Sequence, residues 1–156
     1  METKSRRPAI SEIESHLGYW LRRVSNSVSG KFAQSLQTKR TSVAEWVLLR
    51  HLRDKTQATP GEMANGLRMT RGAISKIIDK LESKGWVRSQ TNPLDNRGRL
   101  LSLTGAGRRV VPQLADIADH NDRKFFSCLH SEEWTALHRL LSKLAAHHRM
   151  HDVPLE

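Results

Sequence analysis

Residues 59–89 read TPGEMANGLRMTRGAISKIIDKLESKGWVRS, and this stretch decides the fold. Thr59 with Glu62 three residues on is a capping box, in which each side chain satisfies a free backbone N–H of the other's turn. Pro60 stands at the first helical position, where no N–H is needed. The pattern predicts a short helix with Met63, Ala64 and Leu67 facing inward and Asn65-Gly66 as its stop. After a tight turn, Thr70 caps a second helix over 71–84. Its Ile74, Ile77, Ile78 and Leu81 recur at i, i+3, i+4 and i+7. The opposite face carries Arg71, Gly72, Ser75, Lys76, Asp79 and Lys80, and Gly85 ends the helix. A short helix, a tight turn and a second helix with a cationic, small-residue outer face form a helix-turn-helix pattern.

Groove size gives that pattern its meaning. The DNA major groove admits one α-helix, and that helix must donate to base edges and phosphates. Arg71, with Arg68 in the turn, can donate in pairs to guanine or grip phosphate, and Gly72 and Ser75 allow close approach. Lys76 and Lys80 suit phosphate contacts, and the free N–H groups near Thr70 suit a phosphate oxygen. Next come two short runs of β-formers, 86–90 and 100–104, around the polar loop 91–98. The expected hairpin tip holds Asn92, Pro93, Asp95, Asn96, Arg97 and Gly98, with Arg99 opening the return strand. A basic-tipped hairpin here is a wing able to reach the adjacent minor groove, whose potential in A·T tracts attracts inserted arginine. Arg97 is the candidate for insertion, Arg99 for phosphate, and Asp95 can hold an arginine by a charge-assisted hydrogen bond.

Outward from this centre the pattern is helical. Over 11–37, Ile10, Ile13, Leu17, Leu21, Val24, Val28 and Phe32 make a long apolar stripe, too long to be satisfied within one lobe. Ser42 and Glu45 form a second capping box, followed by a buried side of Val43, Trp46, Val47, Leu49 and Leu52. From Gly105 the helical period returns with Val110, Leu114, Ile117, Asn121, Phe125 and Cys128 near a heptad spacing, and with Pro112 early in the run. Ser131 is the expected cap of a last helix carrying Trp134, Leu137, Leu141 and Leu144.

The bulk numbers agree with this organisation. A chain of 156 residues predicts one domain. The net charge is +10, and between Arg68 and Arg109 ten basic residues face three acids, which points to a polyanionic partner. No apolar run approaches a membrane span, no secretory h-region follows the N-terminal basic residues, and a single cysteine allows no intrachain disulfide. A cytoplasmic protein with no membrane partner is expected. There is no G-x-S-x-G, P-loop or H-E-x-x-H motif, so no enzyme, cofactor or metal is expected.

The blocks GYWLRRVSNSVSGKF, TSVAEWVLLRHL, the 59–89 stretch and above all DNRGRLLSLTGAGRRVVP resemble the MarR family of winged-helix regulators, the last matching its D-x-R…L-x-L-T-x-x-G wing signature. The resemblance spans nearly the whole chain, about 18–144. It implies a mainly α fold with a small β-wing: a winged helix-turn-helix lobe over about 42–104, with dimerisation helices over about 10–37 and 105–146. It also implies a homodimer on a pseudo-palindromic double-stranded DNA operator, with half-sites about 10 bp apart, usually repressing and released by a small molecule. Family pockets border the cleft between lobes and often take aromatic carboxylates. His16, Trp20 and Trp46 with Arg23 or Arg50 would suit such an anion, and the same tryptophans also read as core. Some relatives sense oxidants through a cysteine in the first helix, where this chain has none; Cys128 on a C-terminal apolar stripe reads as packing. Some sense zinc, for which the i, i+4 pair His147 and His151 is a local candidate. A zinc- or redox-responsive regulator of this fold, or a winged-helix architectural or protein-interaction module, is the alternative.

Overall fold

The computed structural model describes residues 10–150; the side chains of Asp95, Asn96 and Arg97 lie outside that description, as does His151. The chain forms α1 (Leu17–Gln37), α2 (Val43–Arg53), α3 (Pro60–Leu67), α4 (Arg71–Ser83), β1 (Val87–Asn92), β2 (Asp95–Leu103), α5 (Gly105–Phe125) and α6 (Ser131–His147). The core runs from Leu36 at the end of α1 to Leu114 in the first half of α5. Between them it takes in Leu48, Leu49, Leu52, Met63, Ile74, Ile78 and Leu81. No helix among the described residues is long and apolar enough to cross a membrane.

The first helix starts later than its apolar stripe suggests. A 3-10 turn, Ile13–Ser15, and an extended His16 precede α1. There Ser15 Oγ donates to the Glu12 carbonyl and Trp20 Nε1 to the Glu14 carbonyl at 2.8 Å, so side chains take up acceptors that a helical ladder would use.

Both capping boxes form. Ser42 N–H donates to Glu45 Oε2 at 2.7 Å and Glu45 N–H to Ser42 Oγ, while Thr59 N–H donates to Glu62 Oε2 at 2.6 Å. In α2 the buried side includes Leu48, which the expected set omitted, while Val43, Trp46 and Val47 are only partly buried. Glu45, also unexpected inside, is buried. Its Oε1 accepts from Lys84 Nζ at 2.7 Å, and the same ammonium donates to the Arg40 carbonyl. This ties the C-terminal end of α4 to the start of α2.

Helix α3 does not stop at Asn65-Gly66. It continues to Leu67, and Arg68 takes the left-handed conformation at φ 50° that ends it. Gly66 instead lies against α2: a Cβ there would stand 2.8 Å from His51 Nε2, and the imidazole would have to turn aside. Thr70 Oγ1 accepts from Ala73 N–H and starts α4 as expected, and Ile74, Ile77, Ile78 and Leu81 are all buried.

The wing is longer and tighter than the sequence suggested. Pairing runs from Val87 with Leu103 to Thr91 with Arg99, then shifts so that Asn92 faces Asp95. Residues 96–98 bulge from β2, and the turn itself is Pro93-Leu94, closed by Leu94 N–H donating to Asn92 Oδ1 at 3.0 Å. Asp95, Asn96, Arg97 and Gly98 therefore belong to the return strand rather than to the tip. Ala58 adds a short bridge to Leu101, exchanging both backbone hydrogen bonds with it.

Thr104 joins the wing to α5. Its Oγ1 accepts from Gly107 N–H at 3.0 Å and donates to the Gly85 carbonyl at 2.6 Å. Gly107 has no substitute at this crossing, since a Cβ would lie 2.0 Å from the Trp86 carbonyl oxygen. The L-T-x-x-G part of the signature thus describes a helix cap and a close backbone approach.

Beyond the core, α1 packs along α5, and α6 makes scarcely any contact with the other elements. The cap of α6 is His130, whose N–H donates to Glu133 Oε2 at 2.8 Å, rather than Ser131. Cys128 is exposed in the turn after α5 and does not sit on the apolar stripe, because the helix has ended at Phe125.

Candidate nucleic-acid interface

The local chemistry of α3 and α4 sets the geometry of one exposed face. Burying the isoleucine stripe of α4 forces Arg71, Gly72, Ser75, Lys76, Asp79 and Lys80 outward, and all six are exposed. A groove of about 410 Å³ lies between the start of α3, the first turns of α4 and the wing. It is lined by Thr59, Pro60, Gly61, Arg71, Ser75, Asn92, Gly98 and Arg99, so the fold brings four of the expected contact residues to one place: Arg71, Ser75, Asn92 and Arg99. Arg68 and Thr70 are exposed at the turn that precedes α4. Lys76 and Lys80 form no ion pair among the described residues, which leaves their charge to the solvent side.

Arg99 differs from the others. Its Nη2 donates to Glu82 Oε2 at 3.0 Å and to Ser89 Oγ at 2.7 Å, and Ser89 in turn donates to Glu82 Oε1. This triangle braces the wing against α4 and offsets much of the charge Arg99 offers to a phosphate. Nothing local in the sequence marked it, because its members stand 7 to 17 positions apart. Arg88, also missed, donates from Nε to Ser102 Oγ across the ladder at 3.1 Å.

Two carboxylates hold the frame behind this face. The Thr59 N–H and hydroxyl keep the Glu62 carboxyl below the usual carboxylate range. For Glu45, burial alone would raise the pKa, but the Lys84 ammonium and the Ser42 N–H outweigh it and hold the group low.

None of the five residues suggested for a ligand lines the cavities along α1 and α5. Trp20 and Arg23 stack on each other at 5.7 Å, and Arg23 also donates to the Tyr19 hydroxyl. Arg50 pairs with Asp54 at 2.6 Å, Trp46 packs against the core, and His16 is exposed before α1. The cavities along α1 and α5 are lined by other residues, among them Lys31, Gln34, His120, Asn121 and Lys124 around about 500 Å³. No group of three or more His, Cys, Asp or Glu able to hold a metal occurs among the described residues.

Known proteins share this arrangement. The family model described as "MarR family" matches residues 41–98, which covers the helix-turn-helix and most of the wing. The Multiple antibiotic resistance protein MarR of Escherichia coli is 30% identical over 104 residues, covering 66% of this chain and 72% of that protein. A solved structure of a mutant E. coli MarR complexed with operator DNA superposes with a TM-score of 0.72 at 28% identity, over 86% of this chain and 99% of that one. BpsR of Bordetella bronchiseptica, studied for regulation of its DNA binding by 6-hydroxynicotinic acid, shares the fold with a TM-score of 0.73 at 23% identity, over 88% of this chain and 98% of that one. A cationic recognition helix, a braced wing and these likenesses have one meaning: the chain belongs to the MarR family of DNA-binding transcriptional regulators.

Proposed function

We propose that the protein is a homodimeric, cytoplasmic, non-enzymatic repressor that holds a pseudo-palindromic operator and is released from it by a small organic anion. The observation that carries the reading is the groove where Arg71, Ser75, Asn92 and Arg99 meet beside the unpaired Lys76 and Lys80. In this reading Arg71 and Ser75 address base edges, Lys76 and Lys80 address phosphates, and Arg97 enters the minor groove. Arg68 and Thr70 add phosphate contacts at the start of α4.

Dimerisation is supported by exposed apolar residues on the flanking helices. Leu17, Trp20, Leu21 and Val24 on α1 and Trp134, Leu140, Leu141 and Leu144 on α6 are each more than 40% exposed. A single chain does not leave two such stripes to water without cost. The domain division follows: residues 42–104 read DNA, and the helices over 10–37 and 105–146 join two protomers. A ligand that changes the angle between the lobes would alter half-site spacing and so release DNA. The regulation of DNA binding by 6-hydroxynicotinic acid in BpsR, which shares this fold, supports this part.

Fluorescence anisotropy with a duplex recovered by selection from a random-sequence pool tests the reading, at about 150 mM salt, where non-specific binding is weak. Nanomolar binding that survives excess competitor DNA is expected. Binding that competitor abolishes would assign the basic face to a non-specific role.

A further inference from the structure

The wing's outermost point is apolar. The turn is Pro93-Leu94, and Leu94 is 94% exposed. Among the described residues, every other exposed large hydrophobic residue lies between Ile10 and Val24 or between Trp134 and Met150. Leu94 alone stands on the lobe that carries the recognition helix. A lone exposed leucine on a surface needs no account, but this one is presented rigidly. Pro93 fixes its own φ, and the Leu94 N–H is bound to Asn92 Oδ1 at 3.0 Å. The side chain is carried at the end of a ladder about 20 Å long, at roughly 3.3 Å per residue of β1, and the Glu82–Ser89–Arg99 triangle anchors that ladder to α4.

The surroundings choose the partner. Arg88 precedes Leu94 on β1, Arg97 and Arg99 follow it on β2, and the only acid in the wing is Asp95. A cationic hairpin led by one small aliphatic side chain matches the composition of minor-groove wedges, in which basic residues grip the backbone and an apolar tip enters between base steps and bends the duplex. One leucine offers too little area to anchor a protein interface, where large central residues carry the energy. We propose that Leu94 is such a wedge: it enters the minor groove ahead of the wing arginines and bends the operator there. The inference rests on the family's DNA binding and on the wing reaching the minor groove. Its consequence is a preference for a flexible pyrimidine–purine step under the tip, at a position that no side chain reads by hydrogen bonds.

The test uses the full chain and a selected duplex labelled at both ends for energy transfer. Bend angle at saturation and affinity are measured for the wild type, Leu94→Ser and Leu94→Met, on the selected duplex and on one whose step under the wing is changed from TA to AA. The wild type and Leu94→Met are expected to bend the DNA and to prefer TA by about tenfold. Leu94→Ser is expected to lose most of the bend and nearly all of the preference, while still binding in the presence of competitor through α4. That retained binding separates failure of the wedge from failure of the DNA-binding reading. An unchanged bend and step preference in Leu94→Ser would overturn the proposal. So would a change confined to protein self-association, which would assign Leu94 to a protein contact.

Discussion

The winged lobe and the flanking helices solve opposite problems with the same kind of sequence. In the lobe, every isoleucine of α4 finds a partner, both helix entries carry capping boxes, and the buried Glu45 meets Lys84. On α1 before Val28 and on α6, an equally regular stripe stays largely exposed among the described residues. Helical period is the same in both regions, and only packing separates them. The contrast between a complete lobe and two open apolar stripes supports the homodimer proposed above.

The sharpest way to break that contrast is to put charge on the incomplete side. Leu21→Asp combined with Leu141→Asp is expected to weaken self-association by more than 100-fold, since buried unpaired charge costs several kcal/mol per site. Sedimentation velocity reads the result, and retained helical far-ultraviolet circular dichroism would show that the lobe survives. A dimer that persists in this variant would move the interface elsewhere.

Within the lobe, Gly107→Ala is expected to cost about 3 kcal/mol or more, because its Cβ would meet the Trp86 carbonyl and either α5 or the wing must shift. Urea unfolding measures it. A loss under about 0.5 kcal/mol, the range of ordinary surface changes, would mean the crossing yields freely. Glu45→Gln leaves the partly exposed Lys84 facing a neutral amide and is expected to cost about 1–2 kcal/mol. Glu45 also gives a pH signature. Its folded pKa lies below the ordinary carboxylate value, so its contribution is complete above that value and is lost as pH falls through the lowered one. The wild type should lose stability on acidification below about pH 4.5 more steeply than Glu45→Gln; parallel curves would remove the pair from the account.

The wing gives the smallest effects. Arg97→Ala is expected to weaken specific binding by about 1–3 kcal/mol without altering the unfolding midpoint. Arg99→Met should cost less in DNA affinity than Lys76→Met, because Glu82 already holds the arginine. Equal losses in anisotropy titrations would show that the triangle opens when DNA binds.

What the sequence disclosed follows the range of each interaction. Ile74, Ile77, Ile78 and Leu81 were legible because a 3.6-residue period is local, and the Thr59 and Ser42 caps because three positions define each box. The wing tip was misplaced because the DNRG run has turn chemistry, whereas the true turn depends on a bulge of residues 96–98 that only cross-strand register reveals. Gly66 looked like a helix stop, but α3 runs one residue past it to Leu67 and ends on the left-handed Arg68. The Lys84–Glu45 pair and the Arg99 triangle join residues too distant in sequence for any local pattern to show. The five ligand candidates rest on residue type alone, since convergence on a ligand is a tertiary property that no local pattern carries.

The central claim is that two identical lobes read one DNA site and the flanking helices set their spacing. It is tested most directly by comparing the full chain on duplexes carrying one half-site, two half-sites about 10 bp apart, and two half-sites with five added base pairs between them. The account predicts two protomers per duplex and an affinity for the first two-site duplex at least 100-fold above the other two. Equal affinity for all three, with a lone protomer on the single half-site, would contradict it.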